Sequence, residues 1–208
     1  VPGLYTVQHQ GGGKADEYLI RGFDADHGTD FAIFVDGIPV NVPNNAHGQG
    51  YADLHWLIPE IVDHIDVTKG PYFVQYGDFA TAGAVNIITQ RRPADSIASI
   101  SGGSYSLQRY LTILSPPEGT LFQPYVAFEA YHENGPFKDP MGYNRYNLFT
   151  KFTLLSTANS NLSFLGTFHH SYWNASGEIP SRLTRQPGAV LGRFGAVDPS
   201  QGGNTDRN

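Results

Sequence analysis

The sequence predicts a small α+β domain followed by a run of antiparallel β-strands, and three observations predict it. The turn dipeptide Asp36-Gly37 separates two apolar runs and is the clearest hairpin signal in the chain. Residues 84–89 are nearly all apolar, which is typical of a strand buried on both faces. From Ile97 onward helix signals vanish, and apolar and polar residues alternate with the period of a half-buried strand.

The first part of the chain has the elements of a small mixed sheet with short helices. Residues 18–20 form a predicted strand, and the hairpin spans residues 31–40. Pro59 begins a short helical turn, because its missing N–H would be unpaired there anyway. The alternation within residues 65–69 predicts a strand with one buried face. A sheet of about four strands is therefore expected.

Turn-forming residues separate the strands of this domain, which is expected to cover residues 1–93. Gly70-Pro71 ends the preceding strand, and Pro71 can open a single helical turn. Gly77 and Gly83 are expected where φ is positive or another segment approaches closely. The residues assigned to these structural motifs are Gly22, Asp36, Gly37, Gly70, Pro71, Gly77, Gly83 and Asn86.

Residues 94–208 are predicted to begin an antiparallel β-barrel, with about five strands and a long loop. Even-numbered residues in the segments 122–130 and 146–154 are mostly apolar, whereas odd-numbered residues include the charged ones. Each run has about ten or more residues, the length that a tilted strand needs to cross a bilayer. We therefore expect the even-numbered residues to face lipid.

The loop lengths and the aromatic positions of this second part are also typical of an outer-membrane β-barrel. Short turns at 115–119 and 158–160 alternate with a longer connection at 133–143, and residues 174–208 form a long external loop. Arg109 is placed near the membrane interface, where an arginine costs little. An aromatic girdle at the strand ends is expected from Tyr143, Tyr146, Tyr172 and Trp173.

Composition excludes several classes of protein. The chain has 208 residues, 13% aromatic and 15% charged, with a net charge of −6 that argues against nucleic-acid binding. It has no Cys, which excludes a disulfide framework and a thiolate metal site. No apolar run reaches the roughly 18 residues of a transmembrane helix.

Five short motifs in series resemble the plug domain of TonB-dependent outer-membrane receptors. They are Ile20-Arg21-Gly22-Phe23, Val35-Asp36-Gly37-Ile38-Pro39, the segment 58–71 ending in Lys69-Gly70-Pro71, Tyr76-Gly77, and Gly83-Ala84-Val85-Asn86-Ile87-Ile88-Thr89. The resemblance covers residues 1–93 in detail and rests on pattern beyond that.

This resemblance implies an outer-membrane receptor that imports a scarce ligand with energy from TonB, and no enzyme or cofactor. The default ligand is a ferric siderophore, with cobalamin, saccharides, peptides and other metal chelates as alternatives. The expected partners are TonB, the extracellular ligand and outer-membrane lipid. The chain is interpreted as a fragment of a barrel of ~22 strands, without the signal peptide and the segment that contacts TonB.

Two other roles stay open at this stage. A receptor that mainly signals would have the same fold. A soluble β-rich binding module, such as a lectin-like domain, is the alternative from a different class. The apolar residues that recur on one face of each strand argue against it. No catalytic constellation is found, and His27, His47 and His55 have spacings that match no local metal-ligand pattern.

Two polar loops, residues 24–30 and 41–53, are the expected ligand-contact segments of the plug. Both lack an apolar period that would bury them, and loops on a rigid scaffold commonly carry recognition. Alternatively, the second loop only packs against the barrel wall. The candidate ligand-binding residues are Asp24, His27, Asn44, Asn45, His47, Gln49 and Tyr51.

Arg21 is the candidate for plug–barrel contact. It lies in a core motif of the domain, and a buried charge must be paired. The resemblance implies that its partners are glutamates on the barrel wall, beyond Asn208. The alternative is a partner inside the plug, such as Asp66.

Overall fold

The computed structural model describes residues 3–8, 12–46, 48–117, 123–135, 140–156 and 161–175. They divide into two compact units, one within residues 1–9 and 14–91, the other within residues 10–13 and 92–208. None of the described helices is long and apolar enough to span a membrane. Each unit has its own sheets, and each is described in turn.

The first unit begins with a three-stranded antiparallel sheet. Its strands are β1 (Leu4–Val7), β2 (Glu17–Ile20) and β3 (Phe23–Ala25), in that order. The alternating Tyr18 and Ile20 of β2 are buried in the core of this unit. A 3-10 turn, Asp26–Gly28, follows β3. The segment 24–30, predicted to be a polar loop, is thus partly ordered secondary structure, because Ala25 and His27 are buried.

A four-stranded mixed sheet forms the centre of the first unit. Its strands are β4 (Phe31–Val35), β5 (Ile38–Pro39), β6 (Val62–Lys69) and β7 (Gly83–Thr89), in the spatial order β5-β4-β7-β6. Strands β4 and β7 are parallel, and the other pairs are antiparallel. The predicted four-strand sheet is confirmed, although its helices are single 3-10 turns, Pro59–Ile61 and Val74–Tyr76.

Strand order explains which predicted faces are buried. β7 is central, and Ala84, Val85 and Ile87 are buried, as its apolar run predicts. β6 is an edge strand, and Ile65 is 47% exposed, so the prediction of a buried Ile65 is wrong. The turn after Gly70 begins at Val74 instead of Pro71, and Pro71 is exposed.

Side chains from distant motifs hold the hairpin turn against β7. Asp36 has φ +50 and Gly37 has φ +79, the left-handed pair that a two-residue turn requires. The Asp36 carboxylate accepts hydrogen bonds from the Thr89 backbone N–H at 2.9 Å and from its hydroxyl at 2.5 Å. The Gly37 N–H donates to Asn86 Oδ1 at 3.0 Å. The predicted turn is confirmed, and its polar residues fix the position of the hairpin relative to β7.

The second unit contains one five-stranded antiparallel meander. Its strands are β8 (Ile97–Gly102), β9 (Gln108–Leu114), β10 (Tyr125–Glu133), β11 (Tyr143–Ser156) and β12 (Asn161–Tyr172), each paired with the next. A 3-10 turn, Ser104–Ser106, joins β8 and β9. Several predicted turn positions, residues 118–122, 136–139 and 157–160, and the tail 176–208 lie outside the described residues.

The predicted parity of these strands is confirmed. On β10, Val126 and Phe128 are exposed, while Ala127 and Glu129 are fully buried. The same alternation continues on the neighbouring strands, with Tyr110, Leu114, Tyr146, Leu148, Leu154, Leu162, Phe164, Phe168 and Tyr172 on the exposed face. The result is a sheet whose exposed face is largely apolar and whose buried face carries polar residues.

One prediction about this sheet requires correction, and another stays a prediction. Arg109, which was expected near the membrane interface, lies on the buried face, where its Nε is 2.6 Å from Glu129 Oε2. Its depth in the membrane stays a prediction. Tyr143 is 4% exposed and packs edge-on against Trp173 with ring centroids 6.1 Å apart, so it is not part of an exposed girdle. Both residues are odd-numbered, and strand parity therefore turns them away from the apolar face.

Candidate functional site

The second polar loop of the first unit has an exposed apex and a buried base. Backbone hydrogen bonds join Val42 to Tyr51, with the Val42 N–H 2.8 Å from the Tyr51 oxygen and the Gly50 N–H 2.9 Å from the Val42 oxygen. Asn44 and Gln49 are exposed between these contacts. Backbone hydrogen bonds therefore close the loop at its base.

Asn41 is the main polar anchor of this base. It is 8% exposed, and its Oδ1 accepts a hydrogen bond from the Ile33 N–H at 2.7 Å. Its Nδ2 lies 2.9–3.0 Å from three backbone oxygens, those of Gly28, Phe31 and Gly50. A buried backbone group without a partner costs free energy, so Asn41 replaces the ladder bonds that irregular segments lack.

His27 belongs to the same base. It is 1% exposed and has a left-handed φ of +54. Its Nδ1 lies 2.6 Å from the Ala15 carbonyl oxygen, its Nε2 lies 3.2 Å from Asp26 Oδ1, and its ring packs against Tyr51. The prediction that His27 lies on a solvent-exposed loop is wrong, because both ring nitrogens face acceptors inside the unit.

Tyr51 is also a scaffold residue. Its hydroxyl oxygen accepts a hydrogen bond from the Ala15 N–H at 2.9 Å. Burial raises the pKa of this hydroxyl, and the Ala15 N–H partly offsets that effect. Burial likewise raises the pKa of Tyr18, whose hydroxyl donates to the Ala52 carbonyl at 3.3 Å. Both phenols are therefore neutral at physiological pH and serve as hydrogen-bonding groups.

Acidic residues surround the base of the loop. Burial raises the pKa of the Asp16 carboxyl, an effect that nearby His55 opposes and Asp53 reinforces. Asp53 Oδ1 lies 2.6 Å from His55 Nδ1, so these two side chains form a local pair. The described residues contain no group of three His, Asp or Glu side chains arranged to hold a metal ion.

The remaining candidate ligand residues differ in their surroundings. Asn44 and Gln49 are exposed and Asn45 is half-buried at the loop apex, whereas Asp24 is exposed on β3. His47 lies outside the described residues. The structure thus separates the apex amides from the buried His27 and the half-buried Tyr51. Sequence reasoning grouped these residues because both loops, 24–30 and 41–53, are polar, and it missed Asn41.

Arg21 is exposed in the part of the chain that the structure describes. It has φ +51, and its backbone N–H lies 3.4 Å from the Gly3 oxygen. Within the described residues its guanidinium has no carboxylate partner, and Asp66 instead lies 3.8 Å from His64 Nε2. A partner beyond Asn208 stays a prediction.

A second polar cluster lies on the buried face of the second unit, and the sequence analysis did not assign it. Its centre is Glu129, which contacts the guanidinium groups of Arg109 and Arg145. Asn147 donates to Glu129 at 3.0 Å and lies 2.6 Å from His169 Nδ1 through its own Oδ1. The shared odd parity of these residues on four consecutive strands was a visible signal of their proximity.

Comparison with known proteins identifies the first unit. Residues 1–84 match the family model of the TonB-dependent Receptor Plug Domain. The fold is similar to that of the ferric yersiniabactin uptake receptor FyuA from Yersinia pestis, with a TM-score of 0.61 and 19% identity, over 86% of this chain and 29% of that chain.

Two further solved structures have the same fold. The pyoverdine outer membrane receptor FpvA from Pseudomonas aeruginosa PAO1 matches with a TM-score of 0.62 and 17% identity, over 85% of this chain and 25% of that one. The copper transporter OprC matches with a TM-score of 0.63 and 18% identity, over 85% of this chain and 27% of that one. The chain thus spans between 25% and 29% of the length of these three proteins.

Proposed function

Through its plug domain this chain belongs to the TonB-dependent receptors, and from that membership we propose that the protein is an outer-membrane receptor that imports a scarce extracellular ligand. The observation that carries the proposal is the joining of a plug domain to antiparallel strands with an exposed apolar face. Water-exposed apolar area of this extent is costly, whereas lipid accepts it. The protein acts by binding and conformational change, without covalent chemistry.

The proposed energy source is TonB, acting from the inner membrane. Ligand binding outside biases the plug only as far as the ligand prefers one plug state over the other. Dissipating the proton-motive force in whole cells should abolish import while leaving surface binding intact. Import that continues at an equal rate without this energy would rule out the TonB-dependent step.

A ferric siderophore is the proposed ligand class, and two of the similar receptors support it by their names, which specify ferric yersiniabactin and pyoverdine. A copper ligand is the second candidate, supported by the similarity to the copper transporter OprC. Equilibrium binding of ferric and cupric chelates to the purified receptor separates the two. Induction of the protein by iron limitation, and not by copper limitation, is the expected pattern.

The prediction that the even-numbered strand residues face lipid can be tested with single cysteines, because the chain has none of its own. A lipid-soluble thiol reagent should label cysteines at Val126 and Leu148, which are exposed on the apolar face. Cysteines at Ala127 and Phe149, adjacent in sequence and fully buried, are the matched controls and should stay unlabelled. Equal labelling of both faces, or release of the protein by alkaline extraction of membranes, would favour a soluble β-rich module.

We propose the loop apex as the ligand-contact site, with Asn44, Asn45, His47 and Gln49 as contacts and Asp24 as an outlying candidate. Asn44→Ala and Gln49→Ala should each weaken ligand binding to whole cells by about 1 kcal/mol, several-fold in affinity. Gln75→Ala, at another exposed position of the plug, is the control. If both apex variants reach normal surface levels and bind like the parent, the ligand contacts another surface.

A further inference from the structure

The exposed apolar face of the five-stranded sheet gives way to polar side chains at one end of its strands. The register aligns one residue from each of β9 to β12 in a polar row, namely Gln108, His132, Asn144 and Tyr172. One step toward the middle of the sheet, Tyr146 and His170 lie opposite each other. We name these six residues the polar band.

The same face is apolar immediately beyond the polar band. The next row contains Phe128, Leu148 and Phe168, which are 40–59% exposed. Two residues along a strand cover only about 7 Å. A change from polar to apolar side chains within that distance is typical of the boundary between lipid headgroups and acyl chains. On the proposed receptor function, on which this inference rests, the polar band therefore lies at headgroup level.

Within the described strands of this sheet, the face that carries the polar band has no Asp, Glu, Lys or Arg. These charged residues are all odd-numbered and lie on the opposite face, namely Arg109, Glu129, Glu133, Arg145 and Lys151. The titratable groups that remain on the described apolar face are His132, His170 and the phenols of Tyr110, Tyr146 and Tyr172. Because phenols are uncharged near neutral pH, protonation of either histidine gives this face an unopposed positive charge.

Hydrogen bonds fix which ring nitrogen of His132 takes up a second proton. Asn144 Nδ2 donates to the Gly142 carbonyl oxygen at 2.7 Å, so the Asn144 Oδ1 faces His132 Nδ1 at 3.0 Å. Because an amide oxygen only accepts, Nδ1 carries the hydrogen. The second proton is therefore taken up at Nε2, which has no hydrogen-bond partner among the described residues. A protonated His132 thus has one N–H left to donate to an anion outside the protein.

His170 is a second position of the same kind. It is exposed on β12, and its ring centre lies 5.9 Å from that of Tyr172. Within the described part of the chain its ring nitrogens have no hydrogen-bond partner. Strand spacing places its Cα about 12 Å from that of His132. The two imidazoles are therefore separate contact points at the same end of the sheet.

We infer that the polar band binds the phosphate groups of anionic membrane lipids, with protonated His132 and His170 as donors. Charge-assisted hydrogen bonds to phosphate are shorter and stronger than those between neutral groups. Imidazole changes its charge between pH 5 and 8, so binding strengthens as the pH falls. The occupant is a lipid headgroup and not free phosphate, because the polar band adjoins the apolar row that acyl chains cover.

A passive interfacial role for the same residues makes a different prediction. Amides and phenols at a membrane boundary contact zwitterionic and anionic headgroups alike. Those contacts do not change between pH 5 and 8, because neither group titrates in that range. A phosphate site with imidazolium donors instead prefers an anionic lipid and loses that preference as the pH rises.

The test uses the intact receptor in phosphatidylcholine vesicles, with a fluorophore on Leu148→Cys. Leu148 lies on β11, between the strands that carry the two histidines, and this chain has no cysteine of its own. Brominated phosphatidylglycerol, whose phosphodiester keeps its charge throughout, is compared with brominated phosphatidylcholine as a quencher at equal mole fraction. The anionic lipid should be enriched about fivefold near pH 5.5 and not enriched near pH 8.

His132→Gln combined with His170→Gln should abolish the enrichment at both pH values and leave quenching by brominated phosphatidylcholine unchanged. The matched control is His64→Gln, which removes a histidine that is 53% exposed on β6 of the first unit. It should keep both the enrichment and its pH dependence. Inorganic phosphate, added at constant ionic strength, should not displace the lipid.

Equal quenching by the two lipids near pH 5.5 would overturn the inference. Enrichment that survives in the double variant, or that inorganic phosphate abolishes, would overturn it too. Absence of quenching by either lipid would overturn the receptor proposal as well, because Leu148 would then not face acyl chains. Quenching without a preference for the anionic lipid leaves the receptor proposal standing, so the two failures are distinguishable.

Discussion

Two buried asparagines, one in each unit, hold their surroundings in different ways. Asn41 is 8% exposed and makes all four of its hydrogen bonds to backbone groups. Asn147 is fully buried, and it forms hydrogen bonds with the side chains of Glu129 and His169. Asparagine thus satisfies backbone hydrogen-bonding groups in one unit and links side chains to each other in the other unit.

The difference follows from how each unit satisfies its own backbone. The first unit contains short strands and irregular turns, so many buried N–H and C=O groups lack a ladder partner and require a side chain. The second unit is a meander whose long strands bond to each other along their length. Its polar side chains are therefore available for each other.

Asn41→Ala should have the largest effect on stability. It leaves the Ile33 N–H and three carbonyl oxygens without their present partner inside the first unit. We expect a loss of about 3 kcal/mol in the free energy of unfolding. Urea unfolding can be followed by Trp56 fluorescence in a Trp173→Phe background, since the chain has two tryptophans. Asn44→Ala is the exposed control, and similar midpoints for the two variants would contradict the anchoring role of Asn41.

Substitutions at two glycines of the first unit distinguish a steric clash from backbone strain alone. A Cβ at Gly83 would lie 2.5 Å from the Thr68 carbonyl oxygen, and its φ is +151. At Gly37 φ is +79, and a Cβ added there would have no atom within 4 Å. Gly83→Ala should therefore cost about 2–3 kcal/mol and Gly37→Ala about 1 kcal/mol, as judged by the same urea midpoint. Equal costs would show that the contact with Thr68 relaxes freely.

Asn147→Ala should have a smaller effect than Asn41→Ala, which directly tests the comparison between the two asparagines. When Asn147 is removed, Glu129 keeps its bonds to both arginines. We expect a loss of about 1 kcal/mol. The measurement is the heat-dependent shift in electrophoretic mobility of the intact receptor in detergent. A loss as large as that of Asn41→Ala would mean that buried polar networks in both units are equally rigid.

Local pattern was enough for much of the fold. The hairpin at Asp36-Gly37, the buried strand β7 and the parity of β10 and β11 are all confirmed, because each depends on turn chemistry or on alternation within a few residues. The boundary at residue 93 and the ligand-contact residues stay predictions. Ile65 was wrongly expected in the core, because a strand's own sequence does not state whether a neighbour will cover it.

The sequence by itself determined the family of the first unit, the antiparallel strands of the second and the direction in which the residues of β10 and β11 point. Only the tertiary structure decided which polar residues are scaffold and which are exposed. His27 and Tyr51 are residue types typical of a binding loop, yet both are bonded to Ala15, more than ten residues away in the chain. His27 is buried and Tyr51 is half-buried. Glu129 and Arg145 meet only because strand register brings residues 16 positions apart into contact. Burial and pairing of this kind depend on distant partners, whereas turn residues and alternation report local geometry alone.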